Sequence, residues 1–215
     1  MALKTIFVLG SLILMSCAQE PSWLGKYIIQ TLTVQDSERI LTTSLDLELG
    51  SLISDVGNTG EVKEVINFQG IPRNDLVAKI FYSRDVGPNL VYAEVKALKQ
   101  IGEFHAAGYH DESIVILMEK KPGEMIADTV QWKQAAYSKR SYFLREAKQK
   151  YCEKVAKIAT TKKVYHVDDN DGNFLVQFDN TTETICSVEV IDWGVALFVN
   201  EPVPNEKEVY QYCIH

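Results

Sequence analysis

The sequence predicts an α+β fold in two lobes, with an antiparallel sheet in the first and a mainly helical second lobe. Before residue 120, short stretches alternate apolar and polar side chains, which is the period of a half-buried strand. Over residues 89–101 and 140–160, apolar side chains recur at helical spacing. The chain of 215 residues is long enough for one domain or two small lobes around a core.

Composition excludes some classes of partner. The formal net charge is -7, and no basic cluster interrupts the acidic balance, so we expect no nucleic-acid partner. No segment after the first 18 residues is long and apolar enough to cross a membrane, so we expect no stable membrane anchor.

The beginning of the chain has the pattern of a secretory signal. We predict a signal peptide over residues 1–18, because Lys4 is followed by an apolar run over 6–15 that is too short to span a membrane. A lipoprotein signal in which Cys17 carries the lipid is the alternative. The mature protein is therefore expected to be secreted. Residues 19–45 have mixed polarity without a clear period, and we interpret them as an N-terminal extension with room for a short helix.

Three cysteines remain after the predicted signal, namely Cys152, Cys186 and Cys213. In an oxidising compartment this odd number predicts one disulfide and one free thiol, but the pairing stays open. Asn180 begins a glycosylation sequon, Asn-Thr-Thr, in a polar stretch.

Two strands are predicted on either side of a loop that contains Gly57 and Gly60. The first strand shows alternating leucines from Leu45, and the second ends at Phe68. Two glycines between strands are most often a hairpin turn. The functional alternative is a loop whose backbone N–H groups approach phosphates.

The next strand and helix each carry one charged residue in an apolar setting. Lys79 interrupts the apolar strand 76–82, and Glu94 lies on the inward stripe of the helix 89–101. A lysine can extend its ammonium to the surface, which is the alternative interpretation. A buried pair of opposite charge explains both residues together.

The remaining elements follow in order. Strands are predicted near 104–109 and 113–118, and residues 119–125 then break the pattern as a connection to a helical segment over 127–137. The longer helix over 140–160 places Leu144, Ala147, Tyr151, Val155 and Ile158 on one face.

The stretch 164–194 holds the residues best suited to chemistry. Two apolar runs within it predict adjacent strands that bring Asp168, Asn173 and Asp192 to one end of a hairpin-like unit. Carboxylate and amide oxygens in such a set can orient a hydroxyl and hold Mg²⁺. The alternative is a solvated turn, because Asp168 begins the sequence Asp-Asp-Asn-Asp-Gly.

In order and spacing, these features resemble the protein kinase-like superfamily. His166, Asp168 and Asn173 match its catalytic loop, and Asp192 followed by Trp193 and a glycine matches its metal-binding loop. The match covers about residues 46–199. It implies a sheet-rich lobe over 46–120 and a shortened, mainly helical lobe over 121–215.

The resemblance assigns roles residue by residue. Lys79 would contact phosphates, Glu94 would hold Lys79, Asp168 would be the catalytic base and His166 would brace the loop. Asn173 and Asp192 would bind Mg²⁺. The expected cofactors are ATP and Mg²⁺, and the residues expected to bind the nucleotide are Gly57, Gly60, Val62, Ala78, Lys79, Met118 and Glu119.

Departures from the family pattern refine the expectation. Asp55 stands in the place of the first loop glycine, Val167 replaces the usual arginine and Trp193 replaces phenylalanine. The pair Gly172 and Asn173 is similar to aminoglycoside and choline phosphotransferases, and Trp193 also occurs in fungal kinase-like proteins. Only 21 residues follow Gly194, so we expect a minimal or truncated second lobe.

Two functions are expected from this resemblance. The first is a secreted kinase that transfers a phosphoryl group from ATP to a hydroxyl of a small molecule or of a host or neighbouring protein. The second is a secreted pseudokinase that acts by binding a protein without catalysis.

Overall fold

The computed structural model describes residues 20–36, 43–55, 60–81, 88–179 and 181–215. Within them the α+β fold is confirmed, and no helix in these ranges is long and apolar enough to cross a membrane. The predicted signal peptide, Gly57 and the sequon's Asn180 lie outside the described residues.

The first lobe is built on one antiparallel sheet. Its strands are paired in the order β2-β3-β5-β7-β6, with the short β4 added beside β3. Successive side chains of a strand point to opposite faces of the sheet. Each face of this sheet packs against its own apolar cluster, so both faces are covered. The strands are β2 (Leu47–Ser54), β3 (Gly60–Phe68), β4 (Ile71–Pro72), β5 (Leu76–Phe81), β6 (Phe104–His110) and β7 (Ser113–Glu119).

One helix of this lobe, α1 (Pro88–Ile101), lies between β5 and β6 in the chain. Its stripe of Val91, Val95 and Leu98 is fully buried, as the helical spacing predicted. Glu94 lies on the same buried side of the helix. The helix therefore presents a carboxylate toward the interior.

Helices of the second lobe surround one long element. After β8 (Glu124–Met125), a 3-10 turn and α2 (Val130–Gln134) lead into α3 (Tyr137–Lys162). The last helix, α4 (Glu206–Ile214), packs against α3. A disulfide between Cys152 and Cys213, with Cα atoms 5.5 Å apart, joins these two helices.

The predicted pattern of one disulfide and one free thiol is therefore confirmed, with Cys186 as the exposed free cysteine among the described residues. The sequence left the pairing open, because nothing in the spacing of the cysteines shows that α4 returns to α3.

Two small antiparallel sheets complete the second lobe. One has the order β11-β10-β8 and the other the order β1-β12-β9. We predicted no strand near residue 24, yet β1 pairs there with a strand 170 residues later in the chain. The strands are β1 (Leu24–Tyr27), β9 (Val164–His166), β10 (Phe174–Phe178), β11 (Ile185–Val190) and β12 (Ala196–Val199).

Candidate active site

A buried lysine with two carboxylate partners forms the centre of the site. The Lys79 Nζ atom lies 2.9 and 2.8 Å from the two carboxylate oxygens of Glu94. It also lies 2.8 Å from Oδ1 of Asp192. The exposed fraction of the side chain is 8% for Lys79, 2% for Glu94 and 44% for Asp192. The buried pair predicted from β5 and α1 is therefore present, and Asp192 joins it from the second lobe.

Burial and charge compete in this trio. Burial alone would lower the pKa of the Lys79 ammonium, but Glu94 and Asp192 together raise that pKa above its ordinary value. Burial raises the pKa of Glu94 although Lys79 opposes this effect. Burial also acts to raise the pKa of Asp192, but Lys79 outweighs it and holds that pKa below its ordinary value. At neutral pH the lysine is therefore charged and bridges the two lobes.

The loop after β9 is tied to the start of the β10–β11 hairpin through Asn173. Its side-chain Nδ2 donates to the backbone carbonyl of Asp168 at 3.1 Å, and its backbone carbonyl accepts from the Ile191 N–H at 2.9 Å. The Asn173 N–H also donates to the Asn170 carbonyl at 2.9 Å. The structure thus brings Asp168, Asn173 and Asp192 to one end of the hairpin.

Within the described residues, the backbone carbonyl of Asp168 accepts hydrogen bonds while its carboxylate is only partly buried and makes no hydrogen bond or ion pair. Its neighbour Asp169 behaves differently, because it is exposed and forms an ion pair with Lys148 on α3. Of these two adjacent aspartates, Asp168 is the one whose carboxylate remains free for an incoming hydroxyl.

His166 links this loop to the backbone of Asp192. Its Nε2 lies 2.8 Å from the Asp192 carbonyl and 3.1 Å from the Ile191 carbonyl. Because a carbonyl only accepts, Nε2 carries the proton and donates it. Burial lowers the pKa of His166, so the ring is neutral and Nδ1 is an acceptor.

That acceptor has a partner which sequence reasoning missed. The hydroxyl of Tyr151 lies 2.7 Å from His166 Nδ1 and donates to it. We had placed Tyr151 on the apolar face of the long helix, and its burial agrees with that placement. One feature of the sequence pointed to this contact. Tyr151 is the only residue of the predicted apolar face with a hydrogen-bonding side chain, and a buried tyrosine hydroxyl usually has a partner.

The turn that presents Asp192 has little spare room. Asp192 adopts a left-handed backbone with φ of 57°, and its Oδ1 accepts a long hydrogen bond of 3.4 Å from the Gly194 N–H. A Cβ atom at Gly194 would lie 3.3 Å from Asp192 Oδ1 and 3.6 Å from a Glu94 oxygen. Glycine therefore lets the turn approach the trio closely.

Among the residues predicted to bind a nucleotide, Val62 and Met118 lie on the lysine side of the sheet. Val62 is directly opposite Lys79, and Met118 is directly opposite Val77, which shares a face with Lys79. Both Val62 and Met118 are partly buried.

The prediction for Ala78 is wrong. Neighbouring residues of a strand point to opposite faces, so Ala78 lies on the face opposite Lys79. There it is completely buried in the outer apolar cluster with Leu117 and Val65. Val77, one position earlier, is the residue that shares the lysine face.

Gly60 and Glu119 have structural roles of their own. A Cβ atom at Gly60 would lie 2.1 Å from the Ile80 carbonyl oxygen, so strand pairing alone requires glycine there. Glu119 is exposed, its carboxylate lies 3.0 Å from Lys121 Nζ, and its N–H donates to the Glu103 carbonyl.

Asn173 and Asp192 each keep one side-chain oxygen outside the contacts with Asp168 and Lys79. The Asn173 Nδ2 is engaged by Asp168, which leaves Oδ1 as an acceptor, and Lys79 engages only one oxygen of Asp192. The described residues contain no cluster of three or more histidine, cysteine or acidic side chains placed to hold a metal. Mg²⁺ commonly uses one or two protein oxygens together with phosphates and waters, so the chemistry of these two oxygens is of the type that Mg²⁺ prefers.

Comparison with known proteins shows similarity to solved structures and none to a family model or a curated sequence. No family model matches the sequence, and no curated protein matches it. The solved structures that match include Rad53, residues 1–466, in complex with AMP-PNP. The TM-score is 0.49 and the identity 18%, and the match covers 70% of this chain and 39% of that chain. The chain thus spans about two fifths of that protein's length, and its own geometry has to carry any argument about function.

Proposed function

We propose that this protein is a secreted phosphotransferase that uses ATP and Mg²⁺ to phosphorylate a hydroxyl group. The observation that carries the proposal is the trio of Lys79, Glu94 and Asp192, in which a buried ammonium joins the two lobes at 2.8–2.9 Å. A fixed positive charge beside a partly exposed carboxylate is what a bound metal-nucleotide needs.

The chain's own residues would divide the work. Lys79 would bind phosphate oxygens, while Glu94 keeps its ammonium in place. Asn173 and Asp192 would hold Mg²⁺, which when bound would neutralise charge on the phosphates. Asp168 would orient the acceptor hydroxyl and take its proton as the hydroxyl oxygen bonds to the γ-phosphorus and the bond to the β-phosphate breaks.

Secretion is part of the proposal and has its own support. The Cys152–Cys213 disulfide fits an oxidising compartment, which agrees with a signal peptide over residues 1–18.

One observation favours a second candidate, a secreted pseudokinase that binds a partner protein without catalysis. Asp55 is exposed at the end of β2, where a carboxylate would repel the phosphates of a nucleotide. In this case Lys79, Glu94 and Asp192 would serve only to hold the lobes together.

Thermal unfolding with and without Mg-ATP separates these candidates. Ligand at about a hundred times its Kd adds roughly 2.7 kcal/mol of stability, a shift of about 5 to 10 °C for a chain of this size. We expect this shift in the wild type, and we expect Asp192→Ala to lose it. No shift in the wild type at saturating Mg-ATP would refute the phosphotransferase.

Turnover of ATP to ADP tests catalysis separately. We expect Asp168→Asn to keep the Mg-ATP shift and lose turnover, because that carboxylate acts on the acceptor and not on the nucleotide. Asp169→Asn is the matched control and should retain turnover. Binding without turnover in the wild type would favour the pseudokinase.

A further inference from the structure

The N-terminal residues contact the helix that carries Glu94 and the strand that follows Asp192. Residues 20–36, named here the N-terminal clamp, run from β1 through a 3-10 helix at Ile28–Thr31 to Asp36. The sequence pattern gave them no role, because their polarity follows no period.

One end of the clamp is attached close to Asp192. In the β1–β12 ladder, Leu24 is paired with Val199. The Asn200 N–H donates to the Trp23 carbonyl at 2.8 Å, and the Asn200 side-chain amide donates to the Leu24 carbonyl at 3.1 Å. Val199 and Asn200 follow Asp192 by seven and eight residues, at the end of the strand that begins at Ala196.

The other end is attached to the helix that carries Glu94. Ile28 is 1% exposed, and its 3-10 helix packs against α1. The Lys96 Nζ atom donates to the Thr31 carbonyl at 2.8 Å and lies 3.1 Å from Oδ2 of Asp36. The same Asp36 oxygen accepts from the N–H and the hydroxyl of Thr33, at 2.7 and 2.9 Å.

Lys96 and Glu94 point to opposite sides of α1. Two residues along an α-helix correspond to a rotation of about 200°. Glu94 therefore reaches inward to Lys79 while Lys96 reaches outward to the clamp. The helix is held from both sides, and rotation that breaks one contact also strains the other.

We propose that Lys96 and Asp36 are positioning residues, which hold α1 in the orientation where Glu94 meets Lys79. This rests on the proposed function, because the orientation matters for chemistry only if Lys79 binds a nucleotide. The clamp makes the site dependent on the N-terminal segment, since α1 is attached through it to the strand that follows Asp192.

Amide hydrogen exchange of α1 without nucleotide tests the contact itself. In the full-length protein, Lys96→Met keeps the aliphatic stem and removes the charge. We expect exchange of the backbone amides over residues 89–101 to accelerate about fivefold to tenfold. Lys99→Met is the matched control, because Lys99 is exposed on the same helix and only covers the Phe104 ring, 4.8 Å from its centre. Unchanged exchange in Lys96→Met, or equal acceleration in Lys99→Met, would overturn the proposal.

Further variants separate positioning from general loss of structure. Asp36→Asn should accelerate exchange in the same helix. The double variant with Lys96→Met should exchange little faster than either single variant, because each substitution removes the same contact between Lys96 and Asp36. Lys96→Arg should restore slow exchange. If the acceleration of exchange in the double variant equals the product of the two single accelerations, Lys96 and Asp36 do not act through one shared contact, and the proposal is contradicted.

Mg-ATP affinity connects the clamp to the site. We expect Lys96→Met to weaken the Kd for Mg-ATP about threefold to tenfold, with Lys99→Met unchanged. Accelerated exchange with an unchanged Kd would overturn the positioning role. If the wild type binds no Mg-ATP, the proposed function fails, and exchange alone decides whether the clamp holds the helix.

Discussion

Replacing Lys79 with methionine is expected to destabilise the protein by about 3 to 5 kcal/mol at pH 7, because it leaves Glu94 as a buried carboxylate without its partner. Both Glu94 oxygens are bonded to Lys79 at 2.8–2.9 Å, and the side chain is only 2% exposed. Asp192 also loses this partner, but its side chain is 44% exposed, so water compensates most of that loss. Nearly all of the cost therefore arises at Glu94.

The same variant should show a characteristic pH dependence. Burial already raises the pKa of Glu94 although Lys79 opposes this effect, so removing Lys79 should raise that pKa further and make the folded variant hold the proton more tightly than the wild type. The loss of stability in Lys79→Met should be smallest below about pH 4.5 and should grow as pH rises through the folded-state pKa.

Urea unfolding followed by tryptophan fluorescence measures this loss, with the difference between variant and wild type taken at each pH. Lys63→Met is the control, because Lys63 forms only a partly exposed pair with Glu61 and should change stability by less than about 0.5 kcal/mol. A loss of under 1 kcal/mol for Lys79→Met, or a loss that does not vary with pH, would refute the reasoning.

Three other predictions concern contacts around the site. Replacing Cys152 and Cys213 together with alanine opens a closed loop of about 62 residues, which should cost about 4 kcal/mol of unfolding free energy; a change below 1 kcal/mol would contradict this. Tyr151→Phe removes the donor to His166 Nδ1 and leaves that atom buried and unpaired, so urea unfolding should report a loss of about 1 to 3 kcal/mol. Burial alone would raise the pKa of Asp36, but the hydrogen bonds from Thr33 and Lys96 outweigh this effect and hold that pKa below its ordinary value. The stability difference between wild type and Asp36→Asn should therefore be present above about pH 4 and disappear as pH falls below it; a difference that grows in acid would be the opposite result.

The sequence was most informative where a residue contradicted its surroundings. Lys79 interrupts an apolar strand and Glu94 interrupts an apolar helical stripe. Because lysine and glutamate are rarely buried unless they are paired, the pattern predicts that these two residues pair with each other. Their pairing could be predicted without knowing the distance between β5 and α1. The α+β class followed from the same periodicities.

The strand faces were harder to assign. Leu76 through Lys79 are all buried, so alternation, which normally distinguishes the two faces of a strand, is absent from the burial of β5. The apolar run alone therefore does not show that Ala78 lies on the face opposite Lys79. Only the pairing with β3 and β7, together with the two apolar clusters, shows that Val77 accompanies Lys79.

Long-range pairing was beyond the reach of the sequence. The strand at Leu24–Tyr27 has half of its residues exposed, so it lacks the apolar alternation that reveals a strand. Tyr151 was missed for a different reason. Its position on an apolar helix face was correct, but a helix pattern cannot show that a histidine from a later loop lies against its hydroxyl.

The pairing of β1 with β12 also fixes the order in which the fold can be completed. Leu24 and Val199 are separated by about 175 residues, so a ribosome must deliver nearly the whole second lobe before β1 finds its partner. Until then the β1 end of the clamp has no attachment to the second lobe, and the clamp contacts only α1. If the clamp positions α1 as proposed, nucleotide affinity would reach its full value only in chains whose synthesis has passed β12, because only then are both ends of the clamp attached.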